Sequence, residues 1–93
     1  MIVCNMLGNS GRPIPNQFVI EDGNGNEFFQ SYKSLIAVKK SNGDILLDSY
    51  YWDYSRTTSK YRNIFLGMDT KEIKKSIKEG SIQLVNLQNK GVK

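Results

Sequence analysis

Ninety-three residues, 39% of them hydrophobic and 24% charged, describe one small soluble domain with no room for a second core. The net charge of +4 is uneven: residues 1 to 49 carry four basic and five acidic side chains, residues 50 to 93 nine basic and four acidic. With no histidine and only Cys4 as a thiol, a zinc site and the commonest general base are both excluded.

No apolar run reaches membrane-spanning length, and MIVCNMLGNSG lacks the basic and apolar regions of a secretion signal. The expectation is a cytoplasmic protein. Cys4 lies in an apolar stretch and is expected to be a small buried hydrophobe. The acids are scattered and no spaced Asp/Asn/Glu loop suits calcium, so neither a metal nor a cofactor is expected.

In chain order, IVCNML (2–7) reads as a strand, followed by a loop rich in Gly, Asn, Ser and Pro. NQFVIED (16–22) and EFFQSY (27–32) read as strands around the turn DGNGN. That turn resembles a phosphate loop only superficially, because no helix follows it. SLIAVKK (34–40) is a β-branched run, with Ser34 marking a bend before it. Asn42-Gly43 joins it to DILLDS (44–49), and a type I′ hairpin is expected there. If 50–54 is extended, Tyr50, Trp52 and Tyr54 share one face, and Tyr51 and Asp53 the other.

From residue 55 the period becomes helical. Ser and Thr open SRTTSKYRNIFLG; Tyr61, Ile64 and Phe65 form its apolar side, and Gly67 ends it. A second helix follows, with Asp69 and Glu72 as a capping box, Met68 and Ile73 as a hydrophobic staple, and Gly80 at its end. SIQLVNL (81–87) alternates as a final strand, with NKGVK fraying after it. The fold class is α+β: a mostly antiparallel curved sheet of five to six strands, with two short consecutive helices before the last strand. An exposed edge, of the first strand or of 81–87, could pair two copies into a homodimer.

Two constellations carry chemistry. Lys71, Lys74, Lys75 and Lys78 recur at i, i+3, i+4 and i+7, opposite Ile73 and Ile77. They are either a solvated face or a ridge that tracks phosphates. YYWDYSRTTSKYRN (50–63) interleaves aromatics with Arg56, Lys60 and Arg62. Rings stack on unpaired bases while cations hold the backbone, and the same residues suit a protein interface. Trp52 and Tyr61 are expected in the core and Tyr51 as the exposed ring. Asp53 is expected to pair with Arg56 or Lys60. No nucleophile has an activator, so an enzyme is not expected.

NQFVIEDGNGNEFFQSYKSLIA, LDSYYWDYSRTTSKYRNIFLGMDTKEIKKSIKEG and IQLVNL together resemble a family of small uncharacterised domains encoded by bacteriophages, prophages and mobile elements. The resemblance covers residues 14 to 88 and is most specific in YWDYSRTTSKYRN-FLG. Met68 departs from it, since the family often has an acidic residue there. The resemblance implies an accessory protein of the bacterial cytoplasm and supplies no activity. Two expectations follow. One is a nucleic-acid-binding module using Tyr51, Arg56, Lys60, Arg62, Lys71, Lys74, Lys75 and Lys78. The other is an inhibitor of a host defence protein, such as an anti-CRISPR factor, acting through protein contact.

Overall fold

A computed structural model describes residues 1–88 of the chain. The expected fraying of NKGVK lies outside these residues. The elements are β1 (Ile2–Leu7), β2 (Pro13–Glu21), β3 (Glu27–Ser31), β4 (Ser34–Lys39), β5 (Ile45–Asp48), α1 (Arg56–Leu66), α2 (Thr70–Glu79) and β6 (Ile82–Val85). They form the expected α+β fold: one six-stranded sheet in the order β1-β2-β3-β4-β5-β6. All neighbours are antiparallel except β5 and β6, because the two helices intervene and carry the chain back in the same direction. β1 and β6 are the sheet's two edges.

The turns follow from local chemistry. In the first hairpin loop, Asp22 accepts from the backbone N–H groups of Asn24 (2.7 Å) and Asn26 (3.2 Å) and from the Asn26 amide (2.7 Å). Those bonds, Asn26 first, hold its carboxyl below the ordinary value. β3 and β4 are joined by Tyr32 and Lys33 alone, with Ser31 and Ser34 paired across the turn. The bend therefore precedes Ser34, which begins β4. The Asn42-Gly43 hairpin is present but is not type I′. Gly43 is at φ +97° while Asn42 is not at positive φ. Gly43 N–H donates to Lys40 O and Lys40 N–H to Asp44 O. A three-residue loop with glycine in the left-handed position needs only one such residue.

Both helices lie on one face of the sheet. α1 packs on β3 and β4, and α2 on β6. Ser55 caps α1, its hydroxyl accepting from Thr58 N–H at 3.1 Å. The α2 capping box forms in both directions: Glu72 N–H to Asp69 Oδ1 at 2.8 Å, and Asp69 N–H to Glu72 Oε1 at 2.9 Å. Gly67 and Gly80 end the two helices. Phe29 and Leu47 of the sheet and Ile73 of α2 are fully buried between the two layers, with Met68 packed against the same core. Phe29 stacks on Phe65 at 5.7 Å.

Cys4 is exposed, contrary to expectation. It sits on edge strand β1, beyond the strands the helices cover, and from that strand only Met6 reaches the core.

Since Phe29 faces α1, its neighbour Phe28 faces away. The register then lays Val3, Ile20, Phe28, Val38 and Leu46 side by side across five strands on the face without helices, with Gln83 completing the row on β6. An antiparallel sheet with a solvated face ordinarily alternates polar residues outward. This row does not.

The two glycine turns touch. Ser41 N–H donates to Asn26 Oδ1 at 2.8 Å, and a Cβ on Gly25 (φ +88°) would stand 2.9 Å from Ser41 Cβ. A Cβ on Gly43 would meet nothing. Gly43→Ala is therefore expected to cost about 1 kcal/mol, from backbone strain alone. Gly25→Ala is expected to cost about 2 kcal/mol, because the clash adds to the strain. Urea unfolding of the two variants checks the order.

Candidate functional site

The segment between β5 and α1 coils instead of extending, and Asp48 is the reason. Its Oδ2 accepts from Tyr50 N–H (3.0 Å) and Tyr51 N–H (2.8 Å), and its carbonyl accepts from Trp52 N–H (3.0 Å). Tyr54 N–H then turns back to Tyr51 O. Three successive N–H groups bound to one residue cannot belong to a strand. The expected alternation of faces across 50–54 is thereby corrected. Tyr50 (71% exposed) and Tyr54 (61%) are the solvent-facing rings, while Tyr51 is half-buried against the core. Trp52 and Tyr61 are also half-buried against it.

Asp48 also holds the segment that follows β6. Leu87 N–H donates to its Oδ1 at 2.8 Å, and the Gln88 amide spans the N–H and carbonyl of Leu35 at 3.2 and 2.7 Å. Burial alone would raise the Asp48 carboxyl. The donors Leu87, Tyr51 and Tyr50 outweigh it and hold the carboxyl below its ordinary 3.8.

Arg62 is corrected most. It was expected on a binding face and is wholly buried, the largest such side chain among the described residues. Its guanidinium lies over the Trp52 ring at 5.3 Å. Nη1 donates to Trp52 O and to Asp53 Oδ1 (3.4 Å); Nη2 donates to Asn63 Oδ1 (2.9 Å) and Thr70 Oγ1 (3.0 Å); Nε donates to Asn63 Oδ1 (3.1 Å). Every N–H direction has an acceptor, so none is left for an outside ligand. Burial lowers its pKa, and Asp53 opposes that. Asp53 pairs here and accepts from Ser59 Oγ (3.1 Å), instead of pairing with Arg56 or Lys60. On α1, Ile64 is 57% exposed instead of joining Phe65 in the core.

The remaining cations are where the sequence implied. Arg56 and Lys60 are exposed on α1, with Lys60 Nζ 5.3 Å from the Tyr61 ring. Lys71, Lys74, Lys75 and Lys78 are all exposed on α2, while Ile73 is fully buried and Ile77 half-buried. The described residues form two ion pairs, Lys39–Glu27 and Arg62–Asp53, and neither involves these six cations.

One feature escaped the sequence altogether. A cavity of about 710 Å³ opens between the start of α1 and the β3–β4 turn. Tyr51 and Tyr54 form one wall, their rings 5.3 Å apart and 64° inclined. Phe18 and Ile36 supply apolar lining, and Ser31 and Thr58 hydroxyls, 3.2 Å apart, line it as well. The two residues among those described that hold positive φ without being glycine, Asn16 (+66°) and Tyr32 (+57°), both line this cavity. Tyr32 N–H bonds to Asn16 O at 2.7 Å. No sequence period announces such a juxtaposition, because it depends on where the start of β2 meets the end of β3.

Arg62→Lys is expected to cost about 3 kcal/mol in urea unfolding, since an ammonium has three donors where five contacts exist. Asp48→Asn is expected to cost about 2 kcal/mol at neutral pH. Because the folded carboxyl is depressed, its contribution is complete above 3.8 and disappears as pH falls through the lower folded value. The stabilities of parent and variant should therefore converge in acid.

No group of acids and cysteine able to hold a metal occurs among the described residues, and no helix is long and apolar enough to cross a membrane. Searches of curated proteins and of solved structures found no match. The model of a family of unknown function (DUF8033) matches residues 1–80, most of the chain, and the chain belongs to that family.

Proposed function

We propose that this is a non-catalytic accessory protein of a phage or other mobile element, acting in the bacterial cytoplasm by binding nucleic acid. The observation that carries the reading is the α2 ridge. Four exposed lysines occupy eight residues without a carboxylate partner among the described residues, on a helix fastened by Ile73 and its capping box. Unpaired ammonium groups in a row release counterions from phosphates without first breaking an ion pair. Arg56 and Lys60 on α1 add to the same positive half of the chain. Arg62 has no part in it.

A second reading, inhibition of a host nucleic-acid-handling protein, draws on a different observation. The apolar row Val3–Ile20–Phe28–Val38–Leu46 lies on the sheet face opposite the helices, with Val3 exposed, Ile20, Phe28 and Leu46 half-buried and Val38 buried. Such a face suits a protein partner better than a polyanion.

Oligonucleotide affinity is expected to fall with salt, and Lys74→Glu/Lys78→Glu to weaken binding and flatten the log–log slope by about 2. Absence of binding at about 50 mM salt would overturn the nucleic-acid reading. A stoichiometric, nuclease-resistant complex that Phe28→Lys abolishes and the lysine reversals leave intact would establish the second.

A further inference from the structure

We infer that the cavity beside α1 is a binding site for a nucleobase carrying a phosphate, presented by a single strand or a free nucleotide. In its strand form the inference rests on the nucleic-acid reading above. The ligand class follows from the lining. Tyr51 and Tyr54 provide aromatic faces, and Phe18 an apolar surface, so the occupant is flat and unsaturated. Ser31 and Thr58 contribute hydroxyls that bond to each other at 3.2 Å and keep lone pairs for the polar edge of a base. Lys33 is the one charged lining residue, so the charge the site favours is negative. The volume of about 710 Å³ admits a nucleotide and lies in the range of small-molecule sites.

Two independent features mark the place as more than a surface dent. Left-handed backbone is costly at Tyr32 and milder at Asn16, since asparagine tolerates that region, and both instances stand on this wall. Gln17 follows Asn16 on β2 and is paired with the lining residue Ser31. It is 1% exposed, and its Oε1 is a buried acceptor without a donor. A fold that tolerates strain and an unpaired acceptor at one spot is not optimised there for stability alone.

The site is separate from the α2 ridge, so the two are testable apart. Adenosine monophosphate is expected to move the amide resonances of Ser31, Lys33, Tyr51 and Tyr54 and to leave those of Lys74 and Lys78 in place. Lys33→Glu should weaken that binding. Tyr54→Ala, at an exposed position that the fold tolerates, is expected to lower single-strand affinity about tenfold. It should leave the salt slope unchanged, because the ring carries no charge. An abasic strand of equal length should bind the parent protein as weakly as a normal strand binds Tyr54→Ala. If the abasic strand binds as tightly as the normal one and the mononucleotide moves none of these resonances, the cavity site is overturned and the lysine ridge stands. If the mononucleotide enters the cavity and no oligonucleotide binds, the ridge falls and the site belongs to a free nucleotide.

Discussion

The buried guanidinium of Arg62 is the constraint on which the arrangement around the helices depends. It joins three consecutive parts of the chain at one point. Trp52 O and Asp53 belong to the loop after β5, Asn63 to α1, and Thr70 to the first turn of α2. Asn63 Nδ2 reaches Thr70 Oγ1 as well, at 3.1 Å, so the helix junction is closed from both residues. Removing a cation from water is expensive, and one half-exposed carboxylate does not offset the cost alone. The neutral oxygens do the rest by giving every donor a partner. Apolar residues of the same volume would fill this space at less cost in desolvation. What the arginine adds is direction: each oxygen it holds sets where one segment must lie.

Asp48 plays the matching part at the other end of the same loop. An anion that collects backbone N–H groups and a cation that collects oxygens bracket residues 49 to 55 between them. Three tyrosines ride on a segment held at both ends. Their mutual edge contacts, Tyr50–Tyr51 at 4.7 Å and Tyr51–Tyr54 at 5.3 Å, hold the rings together although Tyr50 and Tyr54 bury little area. The wall of the cavity is thus positioned by two charged residues that do not line it.

What was legible in the sequence were features written within a few adjacent residues. Ser55, Asp69 and Glu72 announce helix starts because a cap needs a side-chain oxygen at a fixed offset. Asp22 to Asn26 and Asn42-Gly43 announce turns because few residues accept their dihedrals. What was illegible depended on distant partners. Alternation across 50–54 suggests a strand only if the preceding Asp48 is ignored; an Asx-type capture of the next N–H groups was the available signal. Arg62 looked like a surface cation because its oxygens come from residues 52, 53, 63 and 70, which no short window contains. Cys4 looked buried because an apolar run does not reveal that its strand lies beyond the helices. The register row on the uncovered face needed every strand pairing to be known before Val3 and Leu46 could be placed on one line.

Taking Arg62 out of the binding set also changes how the positive charge can work. Of the aromatic-basic stretch, only Arg56 and Lys60 remain as exposed cations. What remains on α2 is a ridge of four cations, and at 1.5 Å per residue Lys71 to Lys78 span only about 10 Å. A ridge that short meets a few phosphates at most, fewer than the six to ten contacts behind strong salt-dependent binding. Electrostatics of this extent concentrates a polyanion near the protein without fixing where along the strand it sits. Position has to come from contacts to something other than phosphate. Among the described residues, the proposed nucleobase cavity combines two tyrosine rings, hydroxyl groups and a lysine of its own. On the proposed reading the lysines of α2 attract and the tyrosines before α1 select, two tasks on separate elements.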